Sequence, residues 1–274
     1  AEAAEGWLRR AAAATPLPWP SALAPDGAPL PDREELGLQG WRRSQPVVTG
    51  KDLPGVQGTV QMDLYGDVVA AVTSGGPLSA AWEPLAAAAD WVADHWQVPS
   101  ISSALQAWFA LDRMTRLARA ANPLDLQAVV WQQTAAEILR GIEREGMSEA
   151  AVDAALLRVA WRGPWPPHHP LVASTVDRVL LQLSSGLLVY RQGEQVDDSP
   201  DLTASLWAVR ALTRLDRWEE AHERMDAVVS LGGDLGVLAE AADPLSGELL
   251  GNLPSASAHL ALIDAAIALA AGPR

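Results

Sequence analysis

From about residue 57 to residue 271 the apolar residues recur at helical spacing, with almost no alternating stretch, and this confines the chain to an all-α architecture. Val60, Leu64, Val68, Val69 and Val72 step along one face. Further periodic stretches fall near 78–96, 101–121, 124–146, 148–160, 170–184, 200–216, 217–231 and 254–271. Within one of them, Leu202, Leu206, Val209, Leu212 and Leu215 repeat on a single side. Ser199 before Pro200 predicts an N-cap with proline at the first helical position. Gly146, Gly232 and Gly233 fall at predicted helix ends. The run from Arg162 to Pro170, rich in proline, must be a loop, and a short extended piece is expected around 186–192. Roughly eight to ten helices joined by short loops make an array of helical hairpins, not an α/β sheet.

The N-terminal part reads differently. Residues 1–14 have the pattern of a helix end, and residues 15–56 carry Pro16, Pro18, Pro20, Pro25, Pro29, Pro31, Pro46 and Pro54, a density that denies a long helix. Trp19, Trp41, Val47 and Val48 argue that this loop region is not simply disordered. With 274 residues and 49% hydrophobic side chains, one large core is affordable to the chain, so a single domain over 1–274 is expected, with 15–56 as a loop within it.

The net charge of −14 disfavours a nucleic-acid partner and an anionic membrane surface, both of which need a basic face. No window has the length and hydropathy of a membrane span, and no signal-peptide core follows Arg9 and Arg10, so a cytoplasmic protein is expected. The absence of cysteine excludes disulfides, thiol nucleophiles and thiolate metal sites. Lys51 is the sole lysine beside many Arg and Ala, a bias that points to a GC-rich bacterial genome. Twelve Trp against two Tyr and one Phe supply flat faces suited to stacking on sugar rings; helix-contact and core positions are the ordinary reading for any one of them.

The most specific stretch runs from Leu238 through Ala239-Glu240-Ala241-Ala242-Asp243-Pro244-Leu245-Ser246-Gly247 to Leu250-Gly251-Asn252-Leu253-Pro254, followed by His259-Leu260-Ala261-Leu262-Ile263. It resembles the C-terminal signature of glycoside hydrolase family 15, the glucoamylase and trehalase-like enzymes, in which the pattern is roughly L-A-E-E-x-D-P-x-T-G-x-x-L-G-N-F-P-Q and then H-x-A-L-I. Other segments are similar to the same family in the expected order. They are Gly40-Trp41-Arg42-Arg43-Ser44-Gln45-Pro46-Val47-Val48-Thr49-Gly50-Lys51, Gln61-Met62-Asp63-Leu64-Tyr65-Gly66, Ala89-Asp90-Trp91-Val92-Ala93-Asp94-His95-Trp96 and Trp108-Phe109-Ala110-Leu111-Asp112-Arg113. The resemblance implies an (α/α)6-barrel-like toroid of helical hairpins, with Glu240 in the place of the catalytic general base. It further implies Trp41, Arg42, Asp63, Asn252 and His259 as substrate-binding residues, a carbohydrate or other small-molecule ligand, and no metal or other cofactor.

The departures from the family pattern bear on function. Family enzymes carry a D-E-G-I-W-E-like segment whose Glu protonates the leaving oxygen; here Gln97-Val98-Pro99-Ser100-Ile101-Ser102-Ser103-Ala104-Leu105 joins the two helices and holds no carboxylate. The family's arginine after P-V is Val48, and its asparagine after the glycine is Lys51. The chain also starts after the point where the family places its first barrel helices, so the ring is expected to be incomplete at the N-terminal end, with a second copy or a partner chain to cover it. Three outcomes follow: a repurposed carbohydrate-binding pseudoenzyme, an active O-glycosyl hydrolase with a relocated acid, or a helical scaffold.

Other constellations carry less. His168-His169 lies in the proline-rich loop, where a metal pair lacks a carboxylate neighbour in sequence. Asp63 and Asp67, four apart on one helix, fit either a ligand contact or a solvated face. His259 is open between a ligand contact and a core residue bonding a backbone carbonyl. Glu248 would serve as a second acid only if its loop folded back. No nucleophile elbow, phosphate loop or dinucleotide fingerprint occurs.

Overall fold

The structure is a computed structural model of the whole chain; it describes residues 2–19, 26–28, 34–35, 48–49, 61–73, 81–97, 100–145, 152–192 and 199–272. The chain divides into two compact units, Ala1–Leu36 with Val48–Gly146, and Gly37–Val47 with Met147–Arg274. Among the described residues the only sheet structure consists of two-stranded hairpins, so the all-α expectation holds.

The first unit contains α1 (Glu2–Ala14), α2 (Met62–Thr73), α3 (Trp82–His95), α4 (Ile101–Ala121) and α5 (Leu126–Glu145), with β1 (Glu34–Glu35) paired antiparallel to β2 (Val48–Thr49). Val68, Val69 and Val72 of α2 are buried, as the spacing predicts. The helices α2 and α4 cross closely at Gly66, where an added Cβ would come within 3.1 Å of the Gln106 carbonyl oxygen and 2.4 Å of its side-chain oxygen. Ser100 caps α4 by accepting from the Ser103 N–H, and the helix then follows the predicted bounds. Arg113 of α4 reaches the end of α2, donating from Nε to Thr73 Oγ1 (3.1 Å) and from Nη2 to the Thr73 carbonyl (2.9 Å). A carbonyl that α2 would leave without a partner is thereby satisfied.

Tryptophan builds much of this unit. Trp131 is fully buried and donates from Nε1 to Asp90 Oδ1 at 2.8 Å, while Gln127 donates to Oδ2 at 2.7 Å, so α5 grips the Asp of the Asp90-Trp91 motif. Tyr65 stacks between Trp19 and Trp91, and Trp91 stacks on His95. Burial raises the Tyr65 phenol to about 12, and its oxygen accepts from the Trp19 N–H. Of the tryptophans in described positions, none is exposed, which is the core and helix-contact role.

The second unit contains a 3₁₀ turn (Ala154–Arg158), α6 (Val159–Arg162), α7 (Pro170–Leu183), α8 (Leu202–Arg214), α9 (Trp218–Leu231), a 3₁₀ turn (Gly233–Leu235) and α10 (Ala256–Ala270). Two hairpins accompany them, β3 (Ser184–Ser185) with β4 (Leu188–Val189), and β5 (Ala241–Ala242) with β6 (Leu249–Leu250). Leu202, Leu206, Val209, Leu212 and Leu215 are all buried as their spacing requires, and α8 packs against α9, α10 and the first 3₁₀ turn.

Two local expectations are corrected. The described part of the helix expected over 148–160 is a 3₁₀ turn and then a one-turn α6, because the Asp153 carboxylate caps at Ala155 N (2.6 Å) and the Ala154 N–H is drawn to the Arg191 carbonyl. The cap of α8 is Asp201, not Ser199: Asp201 Oδ1 accepts from Ala204 N at 2.6 Å, while the Pro200 carbonyl is held by the Ala242 N–H. At α7 the ring nitrogen Nδ1 of His169 accepts from the Leu171 N–H, with Pro170 at the helix start. Its neighbour His168 lies 3.1 Å from Asp216, a carboxylate partner invisible from sequence distance. No described helix is long and apolar enough to cross a membrane.

Candidate active site

Glu240 sits at the entry to the β5–β6 hairpin. The register pairs Ala241 with Leu250 and Ala242 with Leu249, which brings Glu240 opposite Gly251. The residues between are turn chemistry. Asp243 Oδ1 accepts from the N–H groups of Leu245 and Ser246, both at 2.9 Å. Gly247 adopts a positive φ of 71° and donates to the Asp243 carbonyl. The Asp-Pro-Leu-Ser-Gly run is therefore the device that folds Asn252 back onto Glu240.

Asn252 holds the carboxylate with two donors. Its backbone N–H lies 3.0 Å from Glu240 Oε2, and its Nδ2 lies 3.0 Å from Oε1. Glu240 is exposed, and each of its oxygens keeps a second lone-pair site for water. Asn252 thus contacts the carboxylate itself. Gly251 has a φ of 79°, and a Cβ there would stand 2.6 Å from Glu240 Oε2. Gly251→Ala is expected to destabilise the chain by about 1–3 kcal/mol through the left-handed backbone alone. It is also expected to push the carboxylate off Asn252. A denaturation midpoint indistinguishable from the parent would contradict both the strain and the close approach.

The hairpin is anchored to helix starts. Leu202 N donates to the Glu240 carbonyl (2.9 Å), Asp201 pairs with Ala241 in an antiparallel bridge, and Ser255 N donates to the Leu238 carbonyl (2.8 Å). His259, one turn into α10, donates from Nδ1 to the Ser255 carbonyl (2.7 Å) and accepts at Nε2 from the Leu238 N–H (3.4 Å). Both ring nitrogens are occupied by backbone, which fixes the segment that carries Glu240. Glu248 lies at the far end of the hairpin, its carbonyl accepting from Asp243 N, about 10 Å along the strand from Glu240 at ordinary strand rise.

Asp201 was not legible as part of this site. Burial lifts its carboxyl above its ordinary value of 3.8; the Ala204 N–H, the Arg191 charge and the Thr203 N–H oppose the rise, and the Glu240 charge adds to it. A carboxyl raised in the folded state favours folding most when protonated. Stability on this account falls as pH rises from below 3.8 through the raised folded value, and the penalty is complete above it. Asn caps a helix as well as Asp does. Asp201→Asn should therefore gain melting temperature relative to the parent at pH 7 but not at pH 3; an equal shift at both would contradict the burial effect.

Asp63 belongs to the first unit. It lies half-buried on the first turn of α2 and accepts from Ser103 Oγ at 3.0 Å. Ser103 lies on the first turn of α4, and its neighbours Ser100 and Ser102 bond each other at 2.8 Å. Trp41 and Arg42 lie outside the described residues. Among the described residues no three His, Asp or Glu side chains are grouped to hold a metal.

Comparison with known proteins bears on the fold and the sequence as a whole. No protein-family model matches the chain. The trehalase of Mycolicibacterium smegmatis is 27% identical over 273 residues, covering 87% of this chain and 40% of the trehalase. A trehalase of Thermoplasma volcanium is 27% identical over 273 residues, covering 86% of this chain and 43% of its own. The chain thus spans less than half the length of these curated relatives. Among solved structures, a wild-type glycosidase superposes with a TM-score of 0.70 at 19% identity, covering 98% of this chain and 81% of that one. A glycosidase in complex with glucose gives 0.72 at 18% identity, with coverage of 98% and 81%. The family 15 glucoamylase of Hypocrea jecorina gives 0.58 at 14% identity, covering 78% and 53%. The fold is that of the helical glycosidases. In sequence the chain is similar to these trehalases, and in fold to a family 15 glucoamylase.

Proposed function

We propose that the chain is a carbohydrate-binding protein of the family 15 lineage, in which Glu240 keeps the base position and the leaving-group acid is missing, so that O-glycosides are bound but poorly hydrolysed. The observation that carries this reading is the exposed Glu240 carboxylate held on both oxygens by Asn252. A general base must be oriented and in reach of water, and this one is both. Inverting hydrolysis also requires a second carboxyl roughly 6.5–9.5 Å away, on the other side of the scissile bond. The sequence that stands where the family has its acid segment, residues 97–105, holds three serines and no carboxylate. A glucose complex of a glycosidase sharing this fold supports a sugar as the ligand class.

Titration calorimetry of the protein with glucose, maltose and trehalose tests binding. Saturable heat with at least one of the three is expected; none with any of them overturns the reading. Brisk glucose release from maltose or trehalose would favour the alternative of a working hydrolase with a relocated acid.

The third alternative, a helical scaffold docking a second copy, is the one favoured by Leu260, Ile263 and Ile267 on α10. These are 69%, 57% and 66% exposed, and lie in one stripe. Sedimentation would then show mass rising with concentration, and Ile263→Glu would abolish the rise.

A further inference from the structure

His259 touches the chain on both sides of the Glu240–Asn252 contact. It stands one turn into α10 and is half-buried, so solvent protons reach its ring. The Ser255 carbonyl can only accept, so the 2.7 Å contact places the ring proton on Nδ1. The Leu238 N–H can only donate, so the 3.4 Å contact requires a bare Nε2. Two backbone partners thus select one neutral tautomer. A sugar hydroxyl reaches either nitrogen only by displacing one of these bonds, which sets His259 apart from the substrate-binding role that the resemblance implies.

Leu238 is the point that is held. It is buried, its carbonyl accepts from Ser255 N at 2.8 Å, and its N–H meets the His259 ring. Both of its backbone groups are therefore bonded to the start of α10. Ala239, also buried, follows, and then Glu240, whose carboxylate is bonded by Asn252. Asn252 itself lies three residues before Ser255. The route from the ring to the carboxylate is short in both directions along the chain.

Protonation removes one of the two ring bonds. A second N–H replaces the acceptor at Nε2 with a donor, and the Leu238 N–H then faces a donor and a positive charge. A buried N–H left without an acceptor costs free energy, so the pair must part. Imidazole is the side chain that changes charge near neutral pH. The charged groups nearest this end on the elements packed against α10 are Asp201 and Arg210 of α8, Arg224 and Asp226 of α9, and Glu240 and Asp243 of the hairpin. None of them bonds the ring: Arg210 is paired with Asp264, Arg224 with the Leu187 carbonyl, Asp201 with the Ala204 N–H and Glu240 with Asn252. An added proton therefore finds no carboxylate already in place to hold it.

We infer that His259 is an acid-sensitive positioning residue. Neutral, it holds the Glu240 segment through Leu238; protonated, it releases that segment, and Glu240 and Asn252 separate. The consequence for turnover rests on the reading of Glu240 as a base, whereas the release of Leu238 does not.

Nuclear magnetic resonance of the full chain tests it, with a titration between about pH 8 and pH 5, the range in which imidazole changes charge. The Leu238 amide and the Asn252 side-chain amide are expected to shift with the midpoint of the His259 ring's own titration. The hydrogen-exchange protection factor of the Leu238 amide should fall roughly tenfold across it, as the loss of one hydrogen bond implies. His259→Gln keeps a donor and an acceptor but does not titrate, so both changes should vanish in it. Glu240→Gln should keep the Leu238 change, which separates the ring's proton from the carboxylate's. In the parent, fluoride release from α-glucosyl fluoride should decline along the same titration, and His259→Gln should lack that decline. The inference is overturned if the Leu238 and Asn252 signals stay still while the ring titrates, or if the ring takes up no proton in this range. It is equally overturned if the changes persist in His259→Gln, if the Leu238 change is lost in Glu240→Gln, or if fluoride release is level across the titration. Should His259→Gln fail to fold by circular dichroism, the parent and Glu240→Gln titrations decide. A parent that releases no fluoride at any pH would count against Glu240 as base, and the Leu238 signals would still decide the role of His259.

Discussion

Glu240→Gln is expected to lower fluoride release from α-glucosyl fluoride by roughly two to four orders of magnitude, the usual contribution of a general base. The substitution keeps the side chain's length and one of its acceptor oxygens, so the Asn252 backbone N–H can still be satisfied. What is lost is the charge and the proton-accepting oxygen that now faces water beside Asn252 Nδ2. The fold should be little affected, since Glu240 is exposed and its structural bonds run through its carbonyl to Leu202 N. The melting temperature should therefore stay near the parent's while the rate collapses. A rate within twofold of the parent would remove Glu240 from the base position.

Trp131→Ala is expected to cost about 3–5 kcal/mol, the range for truncating a buried tryptophan. Trp131 is fully buried, and its ring lies 6.4 Å from that of Trp82 in a tilted pair. Its Nε1–H is also one of the two donors on Asp90, so truncation opens a cavity and strips a half-buried carboxylate of a partner. Trp131→Phe fills most of the volume and should cost less, leaving chiefly the lost hydrogen bond, about 1–3 kcal/mol. Urea denaturation followed by circular dichroism reads both. A midpoint for Trp131→Ala close to that of Trp131→Phe would show that the cavity relaxes and that the hydrogen bond dominates.

Local signals made the helices legible. The apolar spacing near 101–121 marks α4 and that near 170–184 marks α7, because periodicity is written within a few turns. Partners that meet across the fold were not legible in the same way. The Glu240–Asn252 contact depends on a hairpin register, and the turn residues Asp243 and Gly247 reveal that register only once the strands are seen to pair. Asp201 took the cap that Ser199 and Pro200 advertised, because Pro200's carbonyl was needed by Ala242. His168 found Asp216, and Asp90 found Trp131, across gaps of dozens of residues that no spacing rule encodes.

The central claim is that a base persists where the acid does not. Fluoride leaves a sugar without protonation, whereas a sugar alkoxide needs a proton donor, so comparing the two leaving groups isolates the missing group. Purified protein should release fluoride from α-glucosyl fluoride in a Glu240-dependent manner while cleaving trehalose and maltose more slowly by roughly two to four orders of magnitude. Comparable rates on all three substrates would contradict the loss of the acid.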